Sequence, residues 1–164
     1  FFADRLRVML RERGATAQEA DAVLAKQLDK LADIPKRIGA VRAFMDLPEA
    51  EALTAANKRI GNILKKVEGE VSEKIDPALL QEAAEKNLFE ELRAVEPAAE
   101  ALYAEGRFED MLVTIAALRS PVDVFFETVM VNAEDPALRA NRLALLKRLY
   151  GVMNAVAEIS RLAK

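Results

Sequence analysis

The chain has 164 residues, 52% hydrophobic and 31% charged, which is ample apolar material for one compact domain and argues against disorder. It contains no Cys and no His, which excludes a disulfide framework, a thiolate zinc site, a cysteine nucleophile and every triad or zinc motif built on imidazole. Lys plus Arg is 24 and Asp plus Glu is 27, a formal charge of −3, so the total does not point to a strongly basic protein that coats nucleic acid.

Ala, Leu and Glu dominate while Gly and Pro number 6 each, which favours an all-helical fold. Proline and glycine cut the chain into helix-sized pieces. Phe2, Leu6, Met9 and Leu10 predict a first helix over 2–13, stopped by Gly14. Thr16 with Glu19 is a capping box that opens a second helix through Val23, Leu24, Leu28 and Leu31. Pro35 suits the first turn of a third, ending near Met45, and Pro48 opens a fourth that runs to about Val67. The polar stretch Glu68 to Asp76 reads as a loop. Asp76 and Pro77 read as a cap and a first-turn proline, and the helical pattern then continues to Glu105 with Pro97 as a break or kink. Gly106 precedes a helix over 107–119. Ser120 and Pro121 open another, which contains Phe125, Phe126, Val129 and Met130. Asp135 and Pro136 open the last long one, with Gly151 as a potential bend. No segment keeps a strand period for long, and there is no internal repeat.

The mild net charge conceals polarity along the chain. Residues 36–66 carry seven basic groups against three acidic, residues 67–118 carry four against thirteen, and residues 119–164 carry seven against five. A basic patch within an acidic domain can dock a polyanion locally while the remainder repels it.

The helix over 55–67 is the sharpest feature. Advancing about 100° per residue from Ile60 places Leu53, Ala56, Ile63, Leu64 and Val67 within roughly 60° of it. Lys58, Asn62 and Lys65 fall near the opposite pole, with Arg59 and Lys66 on one flank. Most exposed helix faces mix signs and gain i,i+4 pairing; this one holds four cations, one amide and no acid. Such a set suits phosphate contacts and an amide that reads a base edge. On residues alone, that reading and a plain solvated face both stand.

In the helix after Asp135, Arg142 sits mid-stripe among Leu138, Leu145, Leu146 and Leu149, all within roughly 60° of it on the same rotation. A buried guanidinium needs a partner, and Asp123, Glu127 and Asp135 are the nearby acids. Arg142 is therefore expected in a structural ion pair. Arg139, at the edge of the seam, is better placed to reach a ligand, and Asp135 reads as a helix cap. Glu82, Glu85, Glu90 and Glu91 resemble carboxylate pairs but lack the His of a di-metal helix motif and are expected to be a solvated face. Arg5, Arg7, Arg11 and Arg13 form a weaker second basic candidate. Of the adjacent Phe125 and Phe126, at least one is expected in the core. No P-loop, dinucleotide fingerprint or nucleophile elbow occurs.

Three strings carry a family resemblance: AANKRIGNIL at 55–64, SPVDVFFETVMV at 120–131 and EDPALRANRLALL at 134–146. In this order they resemble the C-terminal region of the β subunits of bacterial glycyl-tRNA synthetases, and with it the all-helical anticodon-binding domain shared with arginyl-tRNA synthetases. The signature of its last long helix corresponds to Asp135, Ala137, Leu138 and Arg139, with Pro136 inserted in the bare four-letter form. The opening FADRL at 2–6 and the closing AEISRL at 157–162 extend the likeness over nearly the whole chain.

The resemblance implies a single helical anticodon-binding domain over 1–164, cut from a longer chain, as the start at Phe1 without Met also suggests. It implies a ligase of two α and two β subunits, with ATP, Mg and glycine handled by the α subunit, and no cofactor, metal or catalytic residue in this segment. The expected partners are glycine-specific tRNA and the α subunit, with no DNA and no membrane. No apolar run approaches the roughly 20 residues of a membrane span, no signal peptide is visible, and a cytoplasmic location is expected. The residues expected to touch tRNA are Lys58, Arg59, Asn62, Lys65 and Lys66, with Arg139. Three alternatives remain: the same domain serving arginine or another amino acid, a helical scaffold that only joins subunits and, third, a free-standing enzyme, for which the residues for chemistry are poor.

Overall fold

A computed structural model describes residues 8, 14, 16–24, 33–67 and 69–162. Among them lie seven α-helices, two 3-10 turns and no strand. We number the helices α1 (Ala17–Leu24), α2 (Asp33–Met45), α3 (Ala50–Lys65), α4 (Ala83–Ala104), α5 (Phe108–Ala116), α6 (Arg119–Thr128) and α7 (Pro136–Met153). Apart from Val8, the helix expected over 2–13, with its four arginines, lies outside the described residues, as does the part of the second helix that contains Leu28 and Leu31.

Local signals set most boundaries. The Thr16 hydroxyl accepts from the Glu19 amide at 3.1 Å and the Glu19 carboxylate accepts from the Thr16 amide at 2.9 Å, the reciprocal capping box expected for α1. Asp135 caps α7 by accepting from the amides of Ala137 at 2.8 Å and Leu138 at 3.4 Å, with Pro136 as the first helical residue. Gly106 turns the chain between α4 and α5 at φ +74°, which a side chain disfavours.

Three boundaries differ from the sequence pattern. α6 ends at Thr128, because Val129 is extended, so Val129 and Met130 lie beyond it and not within it. Asp76 and Pro77 open only a 3-10 turn over Pro77–Leu79, because Leu80 is extended and ends it. The long helix begins six residues later, where the Glu85 carboxylate accepts from the Glu82 amide at 3.1 Å. Pro97 does not break α4. It removes one backbone hydrogen bond, but Leu88, Phe89, Leu92 and Val95 before it and Ala99 after it are all buried, so packing holds both halves in one helix.

The helices close around one core. α2 packs on α5, α5 on α4, and α4 on α6 and α7, while α3 lies against α6, α7 and the 3-10 turn over Ile159–Leu162. Leu53, Ile60, Leu88, Leu92, Leu112, Ile115, Phe125, Leu145 and Leu146 are fully buried; each such side chain contributes about 1.5–3 kcal/mol. Arg37, counted above with the basic stretch, is buried as a staple. It donates to the carbonyls of Ala155 and Val156 at 2.9 and 2.8 Å and to the Tyr103 hydroxyl at 2.9 Å, and its guanidinium carbon lies 4.6 Å from the Phe108 ring centre. The connection from α3 to α4 follows α7. Lys147 donates to the Val71 carbonyl at 2.7 Å, and Asn141 both donates to and accepts from the Asp76 backbone.

Candidate nucleic-acid interface

The C-terminal half of α3, residues 129–132 after α6 and the start of α7 enclose a groove of about 660 Å³. Each wall follows from a local feature. α3 buries Leu53, Ala56 and Ile60, which leaves Arg59, Ile63, Lys66 and Val67 on the groove side. The Val129 amide donates to the Phe125 carbonyl at 2.9 Å and closes α6, with Val129 itself extended. Asp135 then starts α7, whose Arg139 and Leu143 complete the lining. The floor is apolar, from Ile63, Val67, Val129, Val131 and Leu143. The polar lining consists of Arg59, Lys66, Arg139 and Asn132, and no carboxylate of the described residues joins it.

Arg142 holds this segment in place. It is buried, as its position in the leucine stripe predicts, but its partner is none of Asp123, Glu127 or Asp135. It pairs with Glu85 of α4 at 2.9 Å and donates through its other terminal nitrogen to the Met130 carbonyl. Chain proximity misled here, because the α4 N-terminus docks beside α7 in space although 57 residues separate the pair. Glu85 is 0% exposed, so the acidic stretch is not a uniform solvated face; Glu82, Glu90 and Glu91 are exposed as expected. Arg139 donates to the Ala133 carbonyl at 3.3 Å. Two arginines of α7 therefore fasten the connection from α6 to α7, one at Met130 in the groove and one at Ala133 just beyond it.

Lys58, Arg59, Asn62, Lys65 and Lys66 lie at the surface of α3, and Arg139 is half-buried. No ion pair among the described residues engages Lys58, Arg59, Lys65 or Lys66, whereas Arg42, Arg107 and Arg148 each face a carboxylate. The α3 cations do not share one site. Arg59 and Lys66 join Arg139 in the groove. Lys58 borders a different cleft with Leu47, Pro48 and Leu162, while Asn62 and Lys65 lie on the open surface of α3.

Two groove residues, Met130 and Asn132, and Phe126 beneath Arg59 carry a weaker sequence signal. Phe126 is half-buried beneath Arg59, whose guanidinium carbon stands 4.4 Å from the ring centre. Met130 is 71% exposed, and Asn132 offers an amide. Phe126 is visible in the sequence as the neighbour of the core residue Phe125, but nothing in the local pattern places Arg59 over it. Among the described residues no cluster of acidic side chains is arranged to hold a metal ion, and no helix is long and apolar enough to cross a membrane.

The chain is an all-helical bundle with a cationic groove against its last long helix, and residues 53–159 match the model of the DALR anticodon binding domain. The chain belongs to that family. It is 61% identical over 163 residues to the glycine–tRNA ligase beta subunit of Leptothrix cholodnii, 58% identical to that of Dechloromonas aromatica and 57% identical to that of Delftia acidovorans. In each case the match takes in 99% of the chain and 23% of the relative. The chain thus spans about a quarter of the length of these relatives.

Proposed function

We propose that the chain is the tRNA-anticodon recognition module of a glycine–tRNA ligase β subunit, acting as one helical domain of a longer protein. The groove edged by the cations Arg59, Lys66 and Arg139 is the observation that carries this reading. An anticodon loop presents unstacked bases on a bent phosphate chain. Cations hold the chain, and exposed bases enter apolar recesses where an amide can read their edges. Lys58, Asn62 and Lys65 extend the contact along α3 beyond the groove. Glycine as the amino acid served, rather than arginine, is supported by the names of the relatives.

On this reading the segment binds and orients tRNA, while glycine activation with ATP and Mg belongs to an α subunit in an α2β2 ligase that works in the cytoplasm. The test is a titration of the full-length protein with glycine-specific and unrelated tRNA across salt concentrations. The expected result is preferential binding of glycine tRNA, with affinity falling as salt rises. Equal affinity for all tRNAs would remove the anticodon assignment, and self-association without tRNA binding would favour a subunit scaffold.

A further inference from the structure

Building on the tRNA-binding reading, we infer that Arg59 is a stacking platform for one unpaired RNA base. Phe125 is fully buried, and Phe126 meets it edge-to-face with ring centres 5.5 Å apart. Phe126 is half-buried, and the Arg59 guanidinium covers it at 4.4 Å. A ladder thus runs from the core to the groove surface: a fixed ring, a second ring braced by the first, and a planar cation laid on the second. A guanidinium held this way has lost much of its freedom before any ligand arrives. Its outer face is flat, weakly hydrated and suited to a base. The N–H edge of the guanidinium stays open around the ring, so stacking a base on its face does not consume its hydrogen-bond donors.

The rest of the groove fits a nucleotide. Met130, 71% exposed, offers a soft thioether for van der Waals contact with a base, and its carbonyl is fixed by Arg142. Asn132 supplies an amide that can pair with a base edge. Lys66 and Arg139 stand beside the recess as cations for the flanking phosphates.

The experiment uses the full-length protein and a synthetic stem-loop with the anticodon arm of glycine tRNA, carrying 2-aminopurine at one loop position at a time. Transfer of one base from the loop stack to Arg59 relieves base–base quenching and raises the emission of the fluorophore at one position. Arg59→Lys keeps the charge but removes the plane; it is expected to lower affinity about tenfold, abolish that rise even at saturation, and leave the salt dependence unchanged. Lys66→Ala is expected to flatten the salt dependence and keep the rise. Phe126→Leu fills the space under Arg59 without a ring and is expected to diminish the rise, which provides a second reading should Arg59→Lys disturb folding by circular dichroism. Retention of the full rise and affinity in Arg59→Lys would overturn the inference, as would binding with no rise at any loop position. If the unaltered protein bound the arm no better than an unrelated hairpin, the tRNA-binding reading would fail, and the platform with it.

Discussion

Arg142 joins two roles that are usually separate. Its ion pair with Glu85 is almost wholly withdrawn from water, and its second terminal nitrogen holds the Met130 carbonyl at the groove. Arg142 Nε and the second Glu85 oxygen are buried without hydrogen-bond partners among the described residues, so the pair is not an optimised source of stability; its value lies in fixing where α4 meets α7. Breaking a buried pair leaves a lone charge in the core, at a cost of about 3–5 kcal/mol. Arg142→Ala is therefore expected to destabilise the protein by that amount in urea unfolding and also to weaken tRNA binding, because Met130 loses its anchor. A change in stability below about 1 kcal/mol would mean that the pair is solvated in practice.

At the scale of single helices, α3 and α7 supply the cations of the groove, and different local features set the two helices. Asp135 caps α7 at the point where the groove segment turns into the helix. Asp135→Ala is expected to cost about 1 kcal/mol of stability and to loosen Arg139, with a measurable loss of tRNA affinity alongside the shift in melting temperature. α3 needs no such device for its function, since its asymmetry is one of charge. Its apolar side packs on α6 and α7 while Lys58, Arg59, Lys65 and Lys66 face no carboxylate among the described residues. Reversing Lys58 and Lys65 together to Glu is expected to reduce the salt-dependence slope by about 0.7 for each phosphate no longer neutralised. Reversing Lys66 should reduce affinity more than either single change, because Lys66 lies in the groove and the other two do not. Equal effects at all three positions would indicate a diffuse field rather than a site. Gly61 marks the closeness of α3 to α7: a Cβ there would stand 3.3 Å from the Tyr150 hydroxyl, so Gly61→Leu is expected to push the helices apart and destabilise the protein by about 1–3 kcal/mol in thermal unfolding.

Across the whole molecule the charge is segregated by helix. α3 and α7 contribute the groove cations, whereas α4 and α5 expose Glu90, Glu91, Glu100, Glu109 and Asp110. A polyanion meets repulsion from α4 and α5 and attraction at the groove, which favours one orientation of approach. The association rate of glycine tRNA should therefore fall steeply with ionic strength. Neutralising Glu90 and Glu91 to Gln should raise nonspecific RNA binding while leaving stability within about 0.5 kcal/mol, as for other exposed changes. Stopped-flow association rates and unfolding curves on the same variants test both parts.

Composition and period alone determined the helical class, the caps at Thr16 and Asp135, the apolar seam of α3 and the burial of Arg142, because each depends on residues within one or two turns of each other. The absence of His and Cys, and the acid-free face of α3, were equally plain in the linear order. Only the tertiary structure decided that Glu85 is the partner of Arg142, that Arg59 lies over Phe126, and that Arg59 and Lys66 part from Lys58 to meet Arg139. These facts depend on how helices distant in sequence cross and dock. Crossing geometry is set by the summed packing of many side chains, which leaves no signature in a local window.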